Sequence, residues 1–81
     1  MKKIIDGRKL NIIGEKVKEA RIKANLSQAE LSAKLELLPV YICRGSISRI
    51  ENGDRMINDI EIDGLSKVLN VSLDYLFSRE N

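Results

Sequence analysis

The segment RGSISRIENG, residues 44–53, concentrates side chains that bind anions and polar edges. It holds two arginines, two serines and one asparagine around an apolar pair, Ile47 and Ile50. An arginine guanidinium is a planar fork that can bind a phosphate or the O6 and N7 atoms of guanine. The two isoleucines have helical spacing. We therefore predict a short helix over residues 44–52 that buries its isoleucines and exposes its polar groups.

Apolar residues recur at helical spacing in four further segments, which are residues 10–24, 27–35, 59–69 and 72–77. Asn11 can cap the first helix. Ser27 and Glu30 have the spacing of a capping box, in which each side chain accepts the other residue's backbone N–H. Asn25 and Gly53 can end helices because both tolerate positive φ. With no strand pattern, the sequence predicts an all-α fold, a compact bundle of five helices.

Residues 36–42, ELLPVYI, connect the second and third helices. Pro39 excludes a continuous helix and favours extended backbone at Leu38. We therefore predict a lengthened turn here. Leu37, Leu38 and Val40 can either extend the core or form an apolar patch for a partner, and we favour the core.

The length of 81 residues and a hydrophobic content of 43% suit one compact domain. We expect it to span residues 1–81, with its core within residues 10–77. The charge is uneven, at +5 in residues 1–25 and −3 in residues 57–81. This polarity is typical of a protein that presents a basic side to a polyanion, although solvated helices can also produce it by chance.

The chain has no histidine and one cysteine. This composition excludes a histidine-centred catalytic triad, a disulfide within the chain and an ordinary Cys/His zinc site. We predict no enzymatic activity, no metal and no cofactor. No apolar run approaches the roughly 20 residues of a membrane span. Asp6, Gly7 and Arg8 interrupt the only candidate for a signal peptide, so we expect a cytoplasmic protein.

Four fragments resemble the Cro/C1-type (Xre-like) helix-turn-helix transcriptional regulators, in the family's order and near its spacing. They are IGEKVKEAR (13–21), LSQAELSAKL (26–35), ISRIENG (47–53) and NVSLDYLF (70–77). The resemblance implies a lambda-repressor-like DNA-binding domain that binds double-stranded DNA with inverted half-sites as a homodimer. The implied function is transcription regulation, most often repression, in a phage, mobile-element or restriction-control operon. The alternative is an antitoxin or protein-interaction subunit with secondary DNA binding.

The resemblance also implies roles for individual residues. The residues expected to contact bases are Arg44, Gly45, Ser48 and Arg49. The residues expected to contact DNA phosphates are Ser27, Gln28, Ser46, Asn52 and Arg55. Arg21 and Glu51 match a pair that forms a partly buried ion pair in several relatives. For Arg44 and Arg49, the alternative is a contact to a phosphate or to a local acid. The dimer contact is expected on the last helix, with Tyr75 and Phe77.

Three features depart from the family pattern. The turn over residues 36–42 is longer than usual. Cys43 stands where a serine cap is frequent, and a thiol is a poor cap. Cys43 is either a small, semi-buried residue, which we favour, or a redox sensor whose oxidation blocks DNA binding. Ser32 replaces a frequent alanine, and its hydroxyl is expected to bond back to its own helix.

Overall fold

The computed structural model describes residues 9–79, and no strand occurs among them. The helices are α1 (Gly14–Lys23), α2 (Gln28–Glu36), α3 (Arg44–Asn52), α4 (Asp59–Leu69) and α5 (Leu73–Leu76). The predicted all-α fold with five helices is therefore confirmed. The bounds of α3 and α4 agree with the sequence prediction, whereas α1 begins four residues later than predicted.

Two helices begin with reciprocal side-chain caps. Ser27 Oγ accepts the Glu30 N–H at 3.0 Å, and Glu30 Oε1 accepts the Ser27 N–H at 2.7 Å, as the capping-box prediction requires. Asn58 and Glu61 form a second capping box at the start of α4, with distances of 2.8 and 3.2 Å. Asn58 and Glu61 have the same spacing in the sequence as Ser27 and Glu30, but we predicted only the first capping box. Caps of this kind stabilise a helix by about 1 kcal/mol each.

Residues with a left-handed backbone conformation follow the ends of three helices. Asn25 has φ 59°, Gly53 has φ 80° and Asn70 has φ 56°. The predictions for Asn25 and Gly53 are therefore confirmed. After α3, the Asp54 N–H donates back to the Arg49 carbonyl at 2.8 Å, so the last turn of the helix keeps its acceptors satisfied.

Asn11 connects the start of α1 to the end of α3. Its Oδ1 accepts the N–H groups of Gly14 at 2.8 Å and Ile13 at 3.2 Å. Although the N-cap residue itself is Ile13, Asn11 therefore bonds to the first N–H of α1 as a cap would. Its Nδ2 donates to the carbonyls of Ile50 at 3.0 Å and Arg55 at 2.9 Å. One amide thus satisfies backbone groups on two helices and one loop, which determines where α3 ends relative to α1.

The core lies between α1, α2, α3 and α4 and is closed by α5. Its buried apolar side chains among the described residues are Ile13, Val17, Ala20, Leu31, Leu35, Val40, Ile42, Ile47, Ile50, Leu65, Leu69 and Leu76. Both isoleucines of α3 are fully buried. Because one side of α3 is anchored in this core, its opposite side must face outward.

The lengthened turn divides its apolar residues between core and solvent. Val40 and Ile42 are buried, whereas Leu37 is 84% exposed and Tyr41 73% exposed; Leu38 is also exposed. The prediction of core extension is therefore right for Val40 and wrong for Leu37 and Leu38. Backbone from residue 40 to 42 is not helical, so consecutive side chains point to alternate sides, and only the alternate residues reach the core.

Both neighbouring helices hold this turn in place. Ser32 Oγ donates to the Ile42 carbonyl at 2.7 Å, so the expected bond back to its own helix is wrong. The carbonyl of Ile42 in the turn lies next to α2 and can accept this bond, because the carbonyls within α2 already accept backbone N–H groups. On α4, a Cβ at Gly64 would lie only 3.0 Å from Val40 Cγ2, so this glycine permits close packing. The long turn therefore presents α3 in a defined position.

Gly14 and Gly45 provide a matched test of the α1–α3 packing. A Cβ at Gly14 would overlap the carbonyl oxygen of Ile50, whereas a Cβ at Gly45 would meet nothing within 4 Å. We expect Gly14→Ala to lower the free energy of unfolding by about 1–3 kcal/mol, because a backbone atom cannot rotate away. Gly45→Ala should instead raise it by up to about 1 kcal/mol, through helix propensity alone. Urea denaturation measures both, and equal effects would contradict the close approach of the two helices.

Candidate nucleic-acid interface

Helix α3 has two distinct faces. Its buried face consists of Ile47, Ile50 and Glu51. The outward face carries the remaining side chains, of which Arg44, Arg49 and Asn52 are exposed and Ser46 and Ser48 are partly exposed. The four residues predicted to contact bases therefore lie together on one side of one helix, away from the core.

The two guanidinium groups on this face are uncommitted. Among residues 9–79, neither Arg44 nor Arg49 has a hydrogen-bond or ion-pair partner. No acid in that range holds either of them, so the alternative of a local acid partner finds no support there. The five-residue separation places their backbones about 7.5 Å apart along the helix axis. The guanidinium groups of Arg44 and Arg49 are thus available to a ligand on the outward face of α3.

Arg21 and Glu51 form a two-bond ion pair beneath α3. Arg21 Nε donates to Glu51 Oε2 at 2.6 Å, and Nη2 donates to Oε1 at 3.1 Å. The third nitrogen, Nη1, donates to the Leu26 carbonyl at 2.8 Å. The side chains are 12% and 2% exposed, so water screens the pair little. The hydrogen bonds to Glu51 raise the pKa of Arg21 further above its ordinary value.

Gln28 joins α2 to the same carboxylate. Its Nε2 donates to Glu51 Oε1 at 3.1 Å, and its side chain is partly buried. The glutamine therefore supports α3 directly. Its contact to a phosphate stays a prediction. Ser27 is exposed, and its hydroxyl accepts the capping bond of α2. The start of α2 thus adjoins α3 at the carboxylate of Glu51.

Comparison with known families supplies the identification. A helix-turn-helix family model, HTH_3, matches residues 17–76, well over half of the chain. The chain belongs to the Cro/C1-type helix-turn-helix family. It is accordingly a DNA-binding transcription regulator that binds double-stranded DNA, and the family is not one of enzymes. Comparison with curated proteins gave no match.

In this regulator, Arg55 has a structural partner. Its Nη1 and Nη2 donate to the two carboxylate oxygens of Glu61, both at 2.9 Å, and Nη1 also donates to the Met56 carbonyl at 2.9 Å. These bonds hold the pKa of Glu61 below its usual range. Arg55 thus closes the loop between α3 and α4 with three of its N–H groups. Its contact to a DNA phosphate stays a prediction.

Cys43 lies at the start of α3 and is exposed, not semi-buried as we favoured. It makes no capping bond with its side chain, in agreement with the expectation of a poor cap. The thiol donates to Ser46 Oγ at 3.4 Å, and the hydroxyl can donate in return once the thiol ionises, which lowers the pKa of Cys43. The hydroxyl of Ser46, a predicted phosphate contact, is therefore shared with a neighbouring side chain.

Other kinds of site are not indicated in the described part of the chain. No group of three or more His, Cys, Asp or Glu side chains in residues 9–79 could hold a metal ion. No helix in that range is long and apolar enough to span a membrane.

Two sets of structural contacts, the Arg55–Glu61 pair and the bonds of Asn11, were not predicted from the sequence. The Arg55–Glu61 pair had a signal, since Glu61 is the last residue of a capping-box spacing that begins at Asn58. The bonds from Asn11 to α3 and to the loop had none, because their acceptors lie 39 and 44 residues further along the chain. Local sequence patterns cannot predict contacts between residues that are so far apart along the chain.

The ion pair beneath α3 generates a stability prediction. Arg21→Ala should lower the free energy of unfolding by about 3–5 kcal/mol, because Glu51 stays buried with one neutral donor. As a matched control, Lys67→Ala breaks the exposed pair with Asp63, whose side chains are 64% and 59% exposed, and should cost no more than about 0.5 kcal/mol. Thermal and urea denaturation measure both changes. A melting curve of Arg21→Ala that coincides with the control would contradict this role.

Proposed function

We propose that this regulator is a sequence-specific repressor that binds inverted half-sites of double-stranded DNA as a homodimer. The observation that carries the proposal is the pair of uncommitted guanidinium groups, Arg44 and Arg49, on the exposed face of a helix whose other face is anchored in the core. A guanidinium that bends back onto its own protein could not contact bases. A rigid helix that presents two such groups loses little conformational entropy on binding.

Base recognition is assigned to the first two turns of α3. A helix fits the B-DNA major groove, and its N-terminal residues approach the base edges. Arg44 and Arg49 each bind the O6 and N7 atoms of a guanine, and Ser48 between them donates to or accepts from a neighbouring base. Gly45 has open space around it, so it allows the backbone to approach the DNA closely.

Phosphate contacts surround this base-contacting face. Ser27, Gln28, Ser46 and Asn52 provide hydroxyl and amide groups at the start of α2 and along α3. The first N–H groups of α2 add a partial positive charge that favours a phosphate. Contacts to phosphates determine how the helix lies on the duplex and carry no base information themselves.

Dimerisation is assigned to the side of the molecule that carries α5. One short helix contacts too few base pairs for useful specificity, so two copies are needed. Tyr75 and Phe77, the residues expected at the contact, are partly buried against their own core, and the Tyr75 hydroxyl donates to Glu19 at 2.7 Å. Leu73 is the exposed apolar residue of α5. A groove of about 250 Å³ between α1, α4 and α5 lies beside this helix and adds apolar surface for a second copy.

An antitoxin or protein-interaction subunit is the second candidate function. The observation in its favour is the exposure of Leu37, Leu38 and Tyr41 in the lengthened turn. Neighbouring apolar side chains that face solvent are typical of a surface for a protein partner. In this alternative, the chain binds another protein and its DNA binding is secondary.

Footprinting on the DNA upstream of the protein's own gene tests the proposal. A repressor dimer should protect two symmetric half-sites whose centres are about 34–36 Å apart, or a multiple of that distance. Sedimentation of the complex should show two protein copies per site. Uniform protection without symmetry, or one copy per site, would favour the second candidate function.

Two substitutions separate base contacts from backbone contacts. Arg49→Ala should weaken binding to the protected sequence by about 1–3 kcal/mol, with much less effect on random duplex. Gln28→Ala should weaken both duplexes alike, since it removes a phosphate contact and a support of α3. Fluorescence anisotropy on matched duplexes measures the four affinities. Equal losses for Arg49→Ala on both duplexes would refute its contact to a base.

A further inference from the structure

The segment that precedes α1 lies against the C-terminal end of α3. The Leu10 N–H donates to the Gly53 carbonyl at 2.7 Å. One residue later, Asn11 donates to the carbonyls of Ile50 and Arg55. Three backbone acceptors at the end of α3 and in the loop after it are therefore bound by two consecutive residues. These bonds determine the position of the chain next to residue 9.

Lys9 places its side chain across this helix end. A Cβ at Gly53 would lie 2.6 Å from Lys9 Cδ and 3.5 Å from Lys9 Nζ. Lys9 is exposed, and no acid among residues 9–79 forms an ion pair with it. Its ammonium group thus lies close to Gly53, the residue after Asn52, and is available to a ligand.

The loop that follows α3 lacks an available cation of its own. Residues 53–58, GDRMIN, contain one basic residue, Arg55, and Glu61 occupies it with two hydrogen bonds. Asp54 is exposed and negatively charged, so this loop alone would repel a phosphate. Lys9 comes from elsewhere in the chain and supplies positive charge at this place.

The orientation of α3 in the groove brings its C-terminal end, where Lys9 lies, close to the DNA backbone. If the first turns of α3 approach the bases, its far end points away from them. From Arg44 to Asn52 the helix rises about 12 Å, which is close to the width of the major groove. The end of α3 therefore reaches the sugar–phosphate wall. We propose that Lys9 binds a DNA phosphate there and extends the interface beyond the two helices of the motif.

This inference deepens the proposed function, since it depends on α3 facing the DNA. A lysine ammonium suits the task, because it is a compact charge that binds phosphate without a required geometry. A purely structural role, in which Lys9 only offsets the negative end of the α3 dipole, would affect stability and leave the salt dependence of DNA binding unchanged.

Salt titration distinguishes these roles. Each phosphate neutralised by a protein cation contributes about 0.9 to the slope of log affinity against log salt. Lys9→Gln should therefore make the slope shallower by about 0.9, equally on specific and random duplex. Between about 50 and about 200 mM salt, wild-type affinity should fall by about 3.5-fold more than that of the variant. Lys9→Arg should keep the wild-type slope.

Lys67→Gln is the matched control, since it removes one exposed lysine charge from α4, which packs on α1, α2 and α5. Its slope should equal that of the wild type. A wild-type slope for Lys9→Gln, with a changed melting temperature, would overturn the inference and assign Lys9 to the helix dipole. A Lys9-dependent slope without a symmetric footprint would support the inference and count against the dimeric repressor. A wild-type protein that binds no duplex would overturn both.

Discussion

The buried carboxylate of Glu51 is the interaction on which the rest of the interface depends. It accepts two hydrogen bonds from Arg21 of α1 and one from Gln28 of α2, while it belongs to α3. A charged group at 2% exposure is tolerable only when its bonds replace those of water. This requirement brings three helices to one point. The ion pair also neutralises a negative charge close to the surface that we propose contacts DNA phosphates, where this charge would otherwise oppose binding.

The two ends of α3 are held by different means. At its C-terminal end, Asn11 and Leu10 bind carbonyls of α3 and its loop, and Gly14 lets α1 come close enough for those bonds. At its N-terminal end, the lengthened turn is held by Ser32 and by the contact between Val40 and Gly64. Extra residues between the helices of the motif therefore do not loosen α3, because their backbone and alternate side chains are bound to α2 and α4. The outward side chains of the turn are left for other contacts.

Charge placement explains why arginines of one short stretch have different roles. Arg44 and Arg49 point away from the core and meet no acid in the described part of the chain, whereas Arg55 meets Glu61 and closes a loop. The pair with Glu61 offsets the charge of the loop's own cation. Lys9, which is distant in sequence, brings a positive charge close to Gly53. The distribution of cations at the end of α3 thus depends on which acid folds next to which base.

The sequence alone determined the class of fold, four of the helix boundaries and the family, because periodicity, caps and turn residues act over a few positions and are visible as spacing. It also placed the polar face of α3, since two buried isoleucines leave the other side outward. Only the tertiary structure decided which polar side chains stay available. The predictions for Ser32 and Leu37 were made from residue type and position, and both were wrong, because Ser32 bonds to the turn and Leu37 is exposed to solvent. The partner of Arg55, Glu61, likewise became visible only in the fold. Hydrogen bonds between residues 39 or 44 positions apart form only once the helices pack, so the identity of each partner belongs to the fold.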